Sequence, residues 1–177
     1  SPGMTAIRCD FMVSPSWRAT ILGYAGAASK RHPWAMRSFL LVALQISLIA
    51  AIALPFGAVG WSLPASALVG AGIAVGAWAL TANRPGNFNI RPEVKPGGRL
   101  VTRGPYAYVR HPMYLAVMLA MSGFCLGYGT PWRWAALAAL GIVLVVKAGI
   151  EESAMAARHP GYAGYAGATK RIVPFVW

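Results

Sequence analysis

The chain has 177 residues, of which 57% are hydrophobic and 11% charged, and its mean hydropathy is +0.53. This composition excludes an ordinary soluble domain and indicates an integral membrane protein. A formal net charge of +12 would also suit nucleic-acid binding, so the placement of the basic residues has to decide between the two.

Residues 1–38 precede the first apolar stretch and mix aromatic and apolar residues with arginine and lysine. Within them, residues 4–37 resemble a segment that lies on lipid headgroups, and a loosely ordered tail is the alternative interpretation. Nothing here has the pattern of a cleavable signal peptide. We therefore treat residues 1–38 as an N-terminal interfacial segment.

Four apolar stretches follow, at residues 39–59, 62–82, 113–129 and 132–150. They predict an all-α, polytopic membrane protein with about four transmembrane helices. Pro55 predicts a kink near the far end of the first span. Glycine and alanine residues in the second span favour close helix packing, so residues 39–82 are expected to form transmembrane helices 1 and 2.

A polar connection, residues 83–112, separates the second and third spans and is too long for a simple turn. At its end, residues 104–114 read Gly-Pro-Tyr-Ala-Tyr-Val-Arg-His-Pro-Met-Tyr, and we call this segment the lip. Pro112 suits the first turn of the helix that follows, which makes His111 the expected capping residue. The free N–H groups of such a helix start favour an anionic ligand.

The basic residues are distributed asymmetrically about these four spans. Fifteen of the sixteen lysines and arginines precede span one, lie between spans two and three, or lie at or after the end of span four, and Arg133 alone lies opposite. By the positive-inside rule this predicts four spans with both termini cytoplasmic. It favours a multi-pass protein of the cytoplasmic membrane, with the lipid bilayer as its partner, over a nucleic-acid-binding protein.

Spans three and four are predicted to form a helical hairpin, whose two cytoplasmic ends carry polar residues. Tyr106, His111 and Tyr114 are expected to face the same layer as Glu151 and Glu152. Carboxylates at that depth are costly and by default functional, although solvated helix-end charges paired with arginines are the alternative. Arg-His-Pro occurs three times, at residues 31–33, 110–112 and 158–160, and we interpret the outer two copies as coincidence because only the middle copy precedes a span.

The tail after span four contains two tyrosines three residues apart, Tyr162 and Tyr165, followed by Lys170 and Arg171. At that spacing the tyrosines share one face of a helix. An interfacial aromatic belt with basic anchors is the alternative interpretation of the same residues.

Residues 83–177 resemble the membrane methyltransferase superfamily of isoprenylcysteine carboxyl methyltransferases and phospholipid N-methyltransferases. The matching elements occur in order: Gly86-Asn87-Phe88, Leu100-Val101-Thr102, the lip, the hairpin, Glu151-Glu152, and Tyr162-x-x-Tyr165 with Arg171 and Pro174. The resemblance implies that residues 83–177 are a cofactor-binding methyltransferase core.

The resemblance also implies an enzyme that binds S-adenosylmethionine and methylates a lipophilic acceptor from the membrane, without a metal. The expected cofactor-binding residues are Gly104, Tyr106, Val109, Arg110, His111, Pro112, Tyr114, Glu151 and Glu152, and the expected catalytic residues are Glu151, Arg171 and Tyr165. Ala168 stands where the carboxyl methyltransferases carry a basic residue. This departure favours a phospholipid amine or another lipid-like acceptor over a prenylcysteine carboxylate.

Two other functions are compatible with the sequence. A sterol-reductase-like membrane oxidoreductase would bind a nicotinamide nucleotide in a similar pocket, with Arg84, Arg91, Arg99 and Arg103 near its phosphates. A non-enzymatic membrane adaptor would explain the hydrophobicity and the charge asymmetry. The adaptor leaves the long polar connection and the pair of glutamates unexplained.

Overall fold

A computed structural model of the chain describes residues 33–55, 57–58, 60–83 and 99–174, with side chains from residue 36 onward. The chain divides into two compact units, Ser1–Met36 and Arg37–Trp177, and every side-chain contact described below lies within the second. Of the interfacial segment predicted at residues 1–38, residues 33–38 are the first residues of a long helix, and the rest lies outside the described residues. So do Gly86-Asn87-Phe88, Arg84 and Arg91.

The described residues form five α-helices and one short 3₁₀ helix. The helices are α1 (Pro33–Ala53), α2 (Leu63–Ala82), the 3₁₀ helix (Gly104–Ala107), α3 (Pro112–Tyr128), α4 (Pro131–Arg158) and α5 (Tyr162–Ala168). Strand pairing within this part of the chain is limited to one isolated parallel bridge between Val109 and Lys170. The predicted all-α class is confirmed.

Three of these helices, α1, α2 and α4, are long and apolar enough to cross a membrane. Helix α3 is also apolar but has 17 residues. At 1.5 Å per residue it is about 25 Å long, somewhat less than the ~30 Å hydrocarbon core of a bilayer. The polytopic membrane class is therefore supported, whereas the count of four spans and the cytoplasmic location of both termini stay predictions.

Two predicted boundaries are wrong. Helix α1 ends at Ala53, so Pro55 follows the helix and does not kink it. The residue before a proline is disfavoured in the helical conformation, which explains an end ahead of Pro55. Helix α4 continues to Arg158 rather than ending at residue 150, because its last turns contain good helix formers such as alanine and methionine.

Helices α2 and α3 pack closely because glycines lie at their contact. A Cβ atom at Gly72 would be 2.7 Å from backbone atoms of Ala116 and Ala120, and one at Gly123 would be 2.6 Å from the carbonyl oxygen of Ala65. These distances are shorter than real carbon contacts, so only glycine permits this separation. Membrane helices commonly approach each other at small residues in this way.

Arg133, the basic residue that stands apart in the charge distribution, is completely buried. Its guanidinium donates hydrogen bonds to the carbonyl oxygens of Ile52 and Leu54, the latter at 3.0 Å. It also lies 3.6 Å from the centroid of the Tyr128 ring. Since the last carbonyls of a helix have no partner within the helix, Arg133 caps the end of α1.

The hydrophobic core joins α1, α3, α4 and the tail, which in the structure is the described chain after α4, residues 159–174. It consists of buried residues from all four segments: Ile52, Tyr114, Met121, Cys125, Leu137, Leu140, Leu144, Ala148 and Ile172. Ile172 follows α5, so the tail is part of the core, and its neighbour Arg171 is held beside the start of α3 and the Glu152 side chain of α4.

Candidate functional site

The lip begins with a tight turn against the end of α2. Gly104 has a φ of +61°, and a Cβ atom there would lie 2.7 Å from the Cβ of Ala82 and 3.4 Å from the indole nitrogen of Trp78. Glycine adopts this conformation without steric cost, and it leaves room for α2. The 3₁₀ helix that follows carries Tyr106, and Arg103 fixes the turn by donating to the carbonyl oxygen of Ala82 at 3.2 Å.

The tail runs alongside the lip and pairs with it through the backbone. The N–H of Arg110 donates to the carbonyl oxygen of Lys170 at 2.8 Å, and the N–H of His111 donates to that of Arg171 at 3.0 Å. The N–H of Lys170 in turn donates to the carbonyl oxygen of Tyr108 at 3.1 Å. This pairing places Arg171 next to the start of α3.

Glu152 lies at the centre of a cluster of cationic groups. Its Oε1 accepts from the Nε of Arg110 at 2.8 Å and lies 3.2 Å from the Nε2 of His111. Its Oε2 accepts two bonds from Arg171, at 3.0 Å from Nε and 2.6 Å from Nη2. Arg110 also donates to the carbonyl oxygens of Ala166 and Thr169 at 2.8 and 2.5 Å. Both oxygens of Glu152 are therefore occupied by groups of the lip and the tail.

Glu151 faces α3. Its Oε1 accepts a hydrogen bond from the hydroxyl of Tyr114, and its Oε2 lies 3.3 Å from the Nδ1 of His111. The rings of His111 and Tyr114 stack with centroids 5.1 Å apart. The side chain of Glu151 is 24% exposed, compared with 14% for Glu152, so Glu151 is the more accessible carboxylate.

The position of the two glutamates differs from the prediction in one respect. Because α4 extends to Arg158, Glu151 and Glu152 lie within the helix and not at its end. Glu151 is twenty residues after Pro131, about 30 Å along the helix axis. This distance corresponds to the thickness of the hydrocarbon core, so the start of α4 and the cluster are separated by about the width of that core.

His111 is the N-cap residue of α3, as predicted, but its side chain makes no capping hydrogen bond. The ring instead lies between the two carboxylates, with one ring nitrogen toward each. Burial alone would lower the pKa of His111, but the hydrogen bonds to Glu151 and Glu152 outweigh burial and raise the pKa above its usual value of 6.5. Both nitrogens can donate only when the ring is protonated.

This arrangement predicts a stability that falls with rising pH. Since the pKa of His111 is higher in the folded protein than in the unfolded chain, its contribution is complete below pH 6.5 and is lost as the pH rises through the folded value. We expect the midpoint of thermal unfolding in detergent to decrease between pH 6 and pH 9, and to decrease less in His111→Gln. His159→Ala should keep the wild-type dependence. If the unfolding midpoint of His111→Gln depended on pH as strongly as that of the wild type, His111 would not be the group responsible.

Two tyrosines connect the lip to the tail. The hydroxyl of Tyr165 donates to the carbonyl oxygen of Tyr106 at 2.8 Å, and burial raises the pKa of Tyr165. Burial likewise raises the pKa of Tyr106, whose hydroxyl is hydrogen-bonded to Asn83 at the end of α2. Tyr162 packs edge-on against Tyr165 and, also through burial, has a pKa of about 12. All three phenols therefore stay protonated at neutral pH.

The structure brings most of the expected site residues together, some through their side chains and others through the backbone. The side chains of Arg110, His111, Tyr114, Glu151, Glu152 and Arg171 form one contiguous cluster. Gly104, Val109 and Pro112 contribute through the backbone, as a turn, a bridge to Lys170 and the first residue of α3. The expectation that only the middle Arg-His-Pro copy precedes a span is wrong, because α1 begins at Pro33 of the first copy. His159 of the third copy ends α4 as its C-cap residue.

Lys147 and Gln45 were missed as candidates. The sequence analysis counts Lys147 among the basic residues at or after the end of span four, but it lies inside α4 and is 2% exposed. Its ammonium donates to the Oε1 of Gln45 in α1 at 2.5 Å. The available signal was the position of Lys147 four residues before Glu151, on the same face of the helix. Among the described residues, no three histidine, cysteine or acidic side chains are grouped as a metal site would need.

Comparison with models of known protein families identifies a family for this chain. A family model described as phospholipid methyltransferase matches residues 65–160, which is more than half of the chain. The matched region contains all but the first two residues of α2, together with the lip, α3 and α4 and both glutamates. A comparison with curated proteins found no match.

Proposed function

Since the chain belongs to the phospholipid methyltransferase family, we propose that it transfers a methyl group from S-adenosylmethionine to the amine of a membrane lipid. The observation that carries this proposal is the cluster around His111, where the lip, α4 and the tail place two carboxylates, two guanidiniums and an imidazole together. The positive charge on one side of the predicted spans supports an active site that faces the cytoplasm.

The residues present fit the cofactor, which carries a carboxylate, an ammonium, a sulfonium and an adenine. Glu151 is left for the acceptor amine because Glu152 is held on both oxygens by the lip and the tail. Arg171, with a side chain 27% exposed, would receive the carboxylate. The stacked rings of His111 and Tyr114 offer an aromatic surface for a cationic or planar group.

The cofactor supplies an activated methyl group, and the chain has to bring the acceptor in line with it. Catalysis of such a displacement depends chiefly on holding the reacting atoms close and aligned in a site without water. An ammonium acceptor must first lose a proton. Glu151 is the proposed base because it is the more exposed carboxylate, whereas Tyr165 and Tyr106 stay protonated. In this scheme Arg110 and Arg171 hold Glu152, and Glu152 positions His111.

Calorimetric titration of the detergent-purified protein tests this function. We expect saturable binding of S-adenosylhomocysteine and no binding of a reduced nicotinamide nucleotide. Binding should weaken by more than tenfold in Arg171→Gln, because the replacement removes the charged donor proposed for the cofactor carboxylate. His159→Ala is the matched control and should bind normally. Binding of the nucleotide alone would move the protein to the reductase class.

A further inference from the structure

Lys147 is a buried cation within an apolar helix, and the proposed chemistry does not use it. It is 2% exposed, and its ammonium donates to the amide oxygen of Gln45 at 2.5 Å. Both helices that meet here, α1 and α4, are apolar enough to span a membrane. Ionisable residues inside such helices are costly and generally serve substrates or ions.

Lys147 lies directly beside the site. It precedes Glu151 by four residues, which is about 6 Å along the helix axis. Its Nζ is 5.5 Å from the centroid of the Tyr114 ring, and the hydroxyl of the same tyrosine donates to Glu151. Tyr114 thus has Lys147 at its ring face and Glu151 at its hydroxyl. Lys147 lies on the side of Glu151 that faces the interior of the span.

We propose that Lys147 binds the phosphodiester of an acceptor phospholipid and so places the headgroup amine at Glu151. A phosphate oxygen would take the place of the Gln45 oxygen as the acceptor of the ammonium. Lysine is a common ligand of phosphate, and an anionic acceptor adds ionic attraction that a neutral amide lacks. This inference rests on the proposed methyltransferase function and assigns Lys147 to the binding of its acceptor.

The order of groups along α4 supports this assignment. In a phospholipid the amine is outermost, and the phosphate lies two carbon atoms nearer the hydrocarbon. Along α4, Glu151 is nearer the helix end and Lys147 is one turn nearer the middle of the span. Along α4, the carboxylate of Glu151 and the ammonium of Lys147 therefore follow each other in the same order as the amine and the phosphate of the lipid. Their spacing is also similar.

Kinetics with two acceptors test the proposal. Methyl transfer is measured in mixed micelles with dioleoylphosphatidylethanolamine and with oleylamine, a lipophilic amine without phosphate. Lys147→Met is expected to raise KM for the phospholipid at least tenfold, as loss of a charged hydrogen bond should. KM for oleylamine and the Kd of S-adenosylhomocysteine should stay within twofold of the wild type. Lys147→Arg should retain most of the affinity for the phospholipid.

Gln45→Leu separates a phosphate site from a structural contact between α1 and α4. It removes the amide that holds Lys147 but keeps the ammonium, so KM for the phospholipid should be unchanged or lower. A rise in KM equal to that of Lys147→Met, or an equal loss with both acceptors in Lys147→Met, would overturn the proposal. Gln45→Leu provides this test even if Lys147→Met does not fold. A wild-type protein that binds no S-adenosylhomocysteine and methylates neither amine would instead refute the proposed function.

Discussion

Replacement of Glu152 by alanine is expected to abolish binding of S-adenosylhomocysteine and to lower the free energy of unfolding by about 3 kcal/mol. Glu152 accepts hydrogen bonds from Arg110 and Arg171 and lies against His111. Without it, these three groups lose their common counter-charge in a mostly buried position. Removal of one partner from such a pair costs more than the pair itself contributes.

Chemical unfolding in detergent and calorimetric titration measure the two effects of Glu152→Ala. Ser153→Ala is the matched control, since the hydroxyl of Ser153 is exposed and bonds within α4, to the carbonyl oxygen of Gly149. Glu152→Gln should keep part of the stability and still bind poorly, because the amide cannot neutralise two guanidiniums. Wild-type affinity in Glu152→Ala would disprove the role given to the cluster.

Gly72→Val is expected to cost at least about 3 kcal/mol and to prevent α2 from packing on α3. The added Cβ would meet backbone atoms of Ala116 and Ala120 at 2.7 Å, and backbone cannot move aside as a flexible side chain can. Separation of the two helices would also disturb the lip, because Gly104 rests on Ala82 and Trp78 at the end of α2.

Gly70→Val is the control for this substitution. Gly70 lies on the same helix, and a Cβ atom there would have no neighbour within 4 Å. Both variants receive the same side chain, so the difference between them isolates the helix contact. The measurements are the yield of monodisperse protein and the midpoint of thermal unfolding. Equal behaviour of the two variants would show that the contact between α2 and α3 tolerates added volume.

Local signals in the sequence were sufficient to predict the centre of the candidate site. The apolar stretches around a short turn predicted a hairpin, and a hairpin necessarily brings the start of one helix to the end of the other. This placed His111 and Tyr114 beside Glu151 and Glu152, as the structure has them. The roles of these residues in binding and catalysis remain predictions.

Contacts between distant segments could not be predicted in the same way. The pairing of Lys170 with Tyr108 and Arg110 joins two short segments that have no strand pattern. The bonds from Arg133 and Lys147 to α1 depend on how α1 is rotated and placed, and an apolar helix in lipid carries little information about this in its sequence. The length of α4 was underestimated because hydrophobicity ends before the helix does.

The backbone pairing between the lip and the tail has a consequence for synthesis of the protein. The ribosome produces α1 to α4 before residues 162–174, which supply the carbonyl oxygens for the N–H groups of Arg110 and His111 and the guanidinium for Glu152. A nascent chain halted at Arg158 would contain α1 to α4 and lack one side of the cluster. Membrane insertion and assembly of the site are thus separate events, and the site is completed after the long helices have been made.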